Sequence, residues 1–121
     1  NNETHPLLWA TSQDGLTFEK MGIALDSRNS VFKGWMDGPE FVAWDDGEIR
    51  LYLWGYKGIY YSVLADDKFS EPQLTFSIAS GSGNSDFPEN PPGDPTLAKI
   101  KDKWYMYYGQ HQKGIYRAVL K

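Results

Sequence analysis

Cysteine is absent from this sequence, and histidine occurs only twice. Without thiols the chain can form neither a disulfide framework nor a thiolate metal site. His5 and His111 alone do not supply a transition-metal ligand set, so we expect no metal and no cofactor. Phosphate-binding loops, dinucleotide fingerprints and a Ser-His-Asp order are also missing. The missing cysteine leaves the cellular compartment open.

Long apolar runs and basic runs are missing as well. No stretch approaches the roughly 20 apolar residues that a membrane-spanning helix needs. The formal net charge is −4, and the lysines and arginines are scattered along the chain. An anionic membrane surface or a nucleic acid is therefore not expected as a partner.

Helical periodicity is the third absence, and strand and turn signals take its place. Twelve glycines and seven prolines punctuate 121 residues, which is typical of short strands joined by tight turns. Aromatic residues make up 16% of the chain, including five Trp and eight Tyr. Aromatic side chains favour strands, and Tyr and Trp also line carbohydrate sites. The sequence predicts an all-β domain.

A repeat organises most of the chain. Pro39 heads an apolar run, a turn, an alternating strand and the segment 57–60. The same order begins again at Pro95 and ends with the segment 113–116. The offset is 56 residues at both ends, because 95 − 39 and 113 − 57 are both 56. A constant offset with matched order predicts a repeat architecture.

Four short antiparallel strands per unit of about 50 residues are typical of a β-propeller blade. We expect strands near 7–12, 16–20, 39–44, 49–54, 58–64, 73–79, 95–100, 103–109 and 114–120. On this interpretation 7–25 ends one blade, 37–79 forms a complete blade and 94–121 begins a third. Two blades and a spare strand cannot close a ring of four or more blades. The sequence therefore predicts either part of a longer chain or a ring assembled from several chains.

Three motifs carry a family resemblance. Residues 10–18 read A-T-S-Q-D-G-L-T-F, and residues 104–109 read W-Y-M-Y-Y-G. The triplets 37–39 and 93–95 each combine an aspartate, a glycine and a proline. Together, in this order, they resemble the blade ending, the aromatic second strand and the acidic innermost strands of five-bladed propeller glycosidases. These enzymes form glycoside hydrolase families 43, 32, 62 and 68 and their relatives.

The resemblance implies a carbohydrate-active module, with a site at the mouth of a central funnel. By the motif match Asp37 and Asp94 would be two of the family's carboxylates, and Glu40 is a further catalytic candidate. The family's acid is usually a glutamate before Gly-Pro or Ala-Pro, whereas Asp37 is shorter by one methylene group. One carboxyl would protonate the leaving oxygen while the other activates water or attacks the anomeric carbon.

Four further residues are candidates for sugar binding: Trp35, Trp54, Trp9 and His111. Trp35 leads because it lies in a loop beside Asp37. Each candidate also has a structural interpretation, since Asp37 and Asp94 could cap turns before proline and the aromatics could fill the core. Carbohydrate and a second copy of the chain are the expected partners. The alternative function is a non-catalytic assembling repeat, with a binding or structural role only.

Overall fold

A computed structural model describes residues 5–77, 92–110 and 114–119, and within these ranges the chain consists of strands and turns. The strands are β1 (Pro6–Thr11), β2 (Glu19–Asp26), β3 (Met36–Ala43), β4 (Ile49–Gly55), β5 (Gly58–Ala65), β6 (Lys68–Phe69), β7 (Gln73–Ser77), β8 (Pro92–Ile100), β9 (Lys103–Gln110) and β10 (Gly114–Val119). The expected all-β class is confirmed. No helix in the described part of the chain could cross a membrane.

The strands form three antiparallel sheets. β1 and β2 make a two-stranded ribbon, which we call the N-terminal ribbon. β3, β4 and β5 make the middle sheet, with β6 and β7 paired along the outer edge of β5. β8, β9 and β10 make the C-terminal sheet.

The middle sheet is covered on both faces. Side chains alternate along its strands, so successive residues of β4 join buried clusters on opposite sides. Leu51 and Leu53 of β4 point to one face, where they join a buried cluster with Leu25 of the N-terminal ribbon. Tyr52 points to the opposite face, where it joins a second cluster with Leu97 and Met106 of the C-terminal sheet. The near-continuous apolar character of β4 reflects this burial on two sides.

Strand register reproduces the repeat. Glu40 lies opposite Tyr52 in the middle sheet, and Thr96 lies opposite Tyr107 in the C-terminal sheet. The offset is therefore 96 − 40 = 56 between β3 and β8, but 107 − 52 = 55 between β4 and β9. The difference comes from the connecting turn, which is one residue longer in the middle sheet.

The N-terminal ribbon matches part of the middle sheet. Its register shifts between Leu7 and Leu8, and the pairing of β5 with β7 shifts between Ile59 and Tyr60. Aligning the two shifts places β1 on β5 and β2 on β7. Leu7 then corresponds to Ile59, and Ile59 corresponds to Ile115 of β10 through the offset of 56.

Three of the predicted strands begin three residues away from the expected start. The strand expected at 16–20 begins at Glu19 instead, because Asp14 Oδ1 accepts the backbone N–H groups of Leu16 and Thr17, at 2.8 Å each. Those amides close a turn and do not join the ladder. The strands expected to begin at Pro39 and Pro95 begin three residues earlier, at Met36 and Pro92. The acidic motifs therefore lie inside strands and not in the preceding turns.

Candidate functional site

Each acidic motif forms a β-bulge on the first strand of its sheet. Pairing of β3 with β4 shifts between Asp37 and Glu40, and pairing of β8 with β9 shifts between Gly93 and Thr96. A proline lies in each bulge, as expected for a residue that has no N–H to donate to the ladder. Bulges re-aim side chains, and they are enriched beside active sites.

The two bulges are equivalent, but their aspartates are not. The offset of 56 aligns Gly38 with Asp94 and Asp37 with Gly93. Gly38 has a φ of 62° and Asp94 a φ of 47°, so the same left-handed backbone position is filled by glycine in one sheet and by aspartate in the other. One carboxylate thus precedes the left-handed residue, and the other belongs to it.

The two bulges touch each other. A methyl group on Gly38 would lie only 2.5 Å from Asp94 Oδ1 and 3.2 Å from Asp94 Cα. Glycine is therefore what lets the Asp94 carboxylate lie over the backbone of β3. Asp37, the neighbouring residue, accepts the Gly38 N–H through its Oδ1 at 2.8 Å. The structure brings these two candidate carboxylates to one edge of the stacked sheets.

Glu40 joins the same edge through a contact between the sheets. Thr96 Oγ1 donates a hydrogen bond of 2.8 Å to Glu40 Oε1. Glu40 and Thr96 are 56 positions apart, so they too are equivalent residues of the repeat. Thr96 was not predicted as a site residue, although the repeat offset of 56 applied to Glu40 leads to it. Glu40 is half-buried.

Trp54 forms the floor of this edge. It lies opposite Asp37 in the ladder, and its indole packs along the backbone of both bulges. A methyl group on Gly38 would lie 2.9 Å from Trp54 Cδ1, and one on Gly93 would lie 3.4 Å from the same atom. The missing side chains of these glycines make room for the ring. Trp54 is half-buried and keeps part of its surface open to solvent.

The other predicted binding residues are dispersed. Trp35 immediately precedes β3 and is exposed, within two residues of Asp37. Trp9 lies on the N-terminal ribbon and packs edge-on against Phe69, with ring centroids 5.2 Å apart. His111 lies outside the described residues. The structure therefore gathers Asp37, Asp94, Glu40 and Trp54 at one edge, leaves Trp35 at its margin and places Trp9 elsewhere.

A groove runs between β1 and β3, beside the bulge of β3. Its two cavities, of about 170 and 210 Å³, share Leu7 and Pro39 in their linings. Asp37 and His5 line the first cavity, and His5 Nε2 lies 2.7 Å from the carbonyl oxygen of Met36. Nothing in the sequence pattern singled out His5 for this position, because it results from packing of the ribbon on the middle sheet.

Contacts at the opposite end of β3, which we call the clamp, join the middle sheet to the C-terminal sheet. Trp44 and Trp104 stack with centroids 4.3 Å apart and planes 8° apart. Asp45 accepts hydrogen bonds from Lys99 Nζ at 2.8 Å and from Trp104 Nε1 at 3.0 Å. These bonds, that from Lys99 above all, lower the pKa of Asp45 below its ordinary value. Asp45 lies in the β3–β4 turn and also joins the middle sheet to the C-terminal sheet.

Comparison with known proteins adds no family or function. The chain matches no protein-family model, no curated protein and no solved structure. Among the described residues, no group of three or more acidic or histidine side chains is arranged to hold a metal ion. Function must therefore be inferred from the paired bulges themselves.

Proposed function

We propose that this chain is a carbohydrate-binding module of the β-propeller glycosidase type, with the sugar bound at the paired bulges. The contact between the two equivalent bulges carries the proposal. It places Asp37 and Asp94 on adjoining strands, and the indole of Trp54 packs against the backbone of both bulges. Carboxylates accept hydrogen bonds from sugar hydroxyls, and an aromatic ring offers a surface for the apolar C–H face of a sugar ring.

The packing of β3 beside β8 supports a propeller-like arrangement. Gly38 meets Asp94 and Glu40 meets Thr96, and both pairs are separated by 56 residues. Equal offsets at successive contacts mean that the two inner strands run side by side in the same direction. Adjacent blades of a propeller have this relation, because each blade is turned about a common axis from the one before.

Glycoside hydrolysis is the activity that these carboxylates would support. Retaining enzymes use two carboxyl groups about 5 Å apart, and inverting enzymes use groups about 6.5 to 9.5 Å apart. Asp37 and Asp94 are the pair we assign to acid and base or nucleophile. Glu40 is held by Thr96, so it suits a supporting role in orienting the site.

Two paired measurements test this proposal. Binding to a glycan array and hydrolysis of aryl glycosides would be compared for the wild-type chain, Asp37→Asn and Asp94→Asn. Asp102→Asn is the matched control, because Asp102 lies in the β8–β9 turn and shares the positive φ of Asp94. We expect both site variants to lose hydrolysis and the control to keep it. Equal turnover by all four proteins would contradict the assignment.

The second candidate function is a non-catalytic assembling repeat. It is favoured by the local bonds of the site, since Asp37 accepts its own neighbour's N–H and Glu40 accepts from Thr96. Sugar binding without any turnover would support a lectin-like role. Neither binding nor turnover would leave an architectural role for the bulges.

A further inference from the structure

The C-terminal sheet has an outward face that points away from the middle sheet. Its centre is Ile115 of β10, whose register position matches Ile59 of β5. Ile59 is 0% exposed because the C-terminal sheet covers it, whereas Ile115 is 81% exposed. The same side chain at the same position is therefore core in one sheet and surface in the next.

The rest of this outward face is built like the covered face of the middle sheet. Arg117 lies over the ring of Tyr105 at 5.4 Å, and Arg50 lies over the ring of Tyr61 at 5.2 Å. The register aligns Tyr105 with Arg50 and Arg117 with Tyr61, so the pair is kept with its partners exchanged. The equivalent face of the middle sheet is the one that packs against the C-terminal sheet.

The opposite side of the molecule, formed by the N-terminal ribbon and β3, also exposes apolar side chains. Leu8 and Ile23 face each other across the N-terminal ribbon and are 64% and 56% exposed. Phe41 of β3 is 49% exposed. Its equivalent in β8, Leu97, is only 8% exposed because the middle sheet covers it. This N-terminal side therefore lacks the cover that the middle sheet gives to the C-terminal sheet.

We infer that the outward face of the C-terminal sheet binds the N-terminal side of a second copy of this chain, head to tail. The internal order supplies the reason, because the ribbon, the middle sheet and the C-terminal sheet are stacked in one direction with equivalent contacts. A head-to-tail contact repeats this stacking from one chain to the next. Such heterologous contacts close into a ring when the rotation between successive chains allows it. It depends on the stacking alone and is independent of the proposed sugar site.

The first test is the solution mass of the chain by light scattering, over roughly a hundredfold range of concentration. We expect a defined oligomer that dissociates on dilution. Ile115→Asp and Leu8→Asp should each shift the mass to that of one chain, and Arg117→Glu provides a second substitution on the first surface. Leu16→Asp is the control, since Leu16 is exposed in the β1–β2 turn, off both surfaces. Circular dichroism would establish that each variant keeps its strands.

Mixing the variants tests the direction of the contact. Ile115→Asp retains an intact N-terminal side, and Leu8→Asp retains an intact outward face on its C-terminal sheet. A head-to-tail interface predicts that the mixture forms a dimer of one chain of each kind and no larger species. A wild-type chain that stays monomeric throughout would overturn the inference. Loss of association with Ile115→Asp but not with Leu8→Asp would indicate a symmetric contact, which also overturns it.

Discussion

The middle sheet and the C-terminal sheet share one strand register and differ in their surroundings. β4 is buried on both faces, whereas β9 buries Met106 and Tyr108 on one face and leaves Tyr105 and Tyr107 half-buried on the other. In repeat proteins, stability is a sum of terms within each unit and terms from its neighbours. The comparison separates these terms, because the same positions occur with and without a covering sheet.

The paired bulges extend the comparison to the candidate site. Glycine adopts the left-handed backbone of Gly38 without a steric penalty, while Asp94 adopts it at a cost of about 1 kcal/mol. Aspartate is among the few residues that tolerate this conformation. Backbone strain that persists in one copy and is absent from its equivalent is consistent with a functional use of the Asp94 carboxylate.

The largest predicted difference concerns the two equivalent isoleucines. Ile59→Ala should lower the free energy of unfolding by about 2 to 5 kcal/mol, because it opens a cavity between two sheets. Ile115→Ala should change it by less than about 0.5 kcal/mol in dilute solution, because that side chain is on the surface. Urea denaturation of both variants measures the pair. Similar losses at the two positions would mean that burial is not what distinguishes the sheets.

Gly38→Ala should break the contact between the bulges. The new methyl group meets both Asp94 and Trp54, and alanine at a φ of 62° is strained. We expect a loss of about 2 kcal/mol in the free energy of unfolding, from crowding and backbone strain together. Gly47→Ala is an informative control, since Gly47 also has a positive φ but no neighbouring atom within 4 Å of the added methyl. Equal effects of the two changes would assign the whole cost to backbone conformation.

Asp94→Gly gives both bulges a glycine at the left-handed position. Relief of the strained aspartate is offset by the greater freedom of glycine in the unfolded chain, so stability should stay within about 0.5 kcal/mol of the wild type. Sugar binding should nevertheless be lost, because one of the two carboxylates is gone. Thermal unfolding and glycan binding measured on one preparation would separate the two effects. Retained binding would remove Asp94 from the site.

The smallest predicted effect tests the clamp between the two sheets. Bonds from Lys99 and Trp104 lower the pKa of Asp45 in the folded chain, so the bonded carboxylate stabilises the fold above its ordinary pKa of 3.8. That contribution is lost as the pH falls through the lowered value. Asp45→Asn should therefore melt at a slightly lower temperature than the wild type at neutral pH, and the difference should shrink in acid. Asp66→Asn, in the β5–β6 turn, is the control; a gap independent of pH would exclude this linkage.

Local patterns account for what could be predicted of the fold. Alternation along β4 and β9 and the turns at Asp45 and Asp102 act over a few residues, so these strands and turns could be predicted from the sequence. The strand starts at Met36 and Pro92 could not be predicted in this way. Each bulge accommodates a proline, so pairing continues on its N-terminal side. The strand predicted at 16–20 begins at Glu19 instead, since Asp14 accepts hydrogen bonds from the backbone N–H groups of Leu16 and Thr17.

The sequence predicted several residues of the candidate site but not how they are aligned or which of them lie close together. The proline motifs pointed to Asp37 and Asp94, yet aligning them by composition concealed that the aspartates differ by one position in register. Thr96 and His5 were absent from the prediction. Trp9, chosen by residue type, packs on Phe69 and apart from the bulges. Spacing along the sequence does not predict which residues of separate sheets lie close together, because that depends on how the sheets pack.

The sequence by itself determined an all-β chain with a repeat, because side-chain alternation and turn chemistry are local properties. Tertiary structure decided which equivalents are buried, since Ile59 and Ile115 differ only in whether a sheet lies over them. It also decided that Asp94 lies over Gly38 and that Glu40 meets Thr96, because those contacts depend on how the sheets stack. Burial and proximity belong to the packing of sheets, and no single strand encodes them.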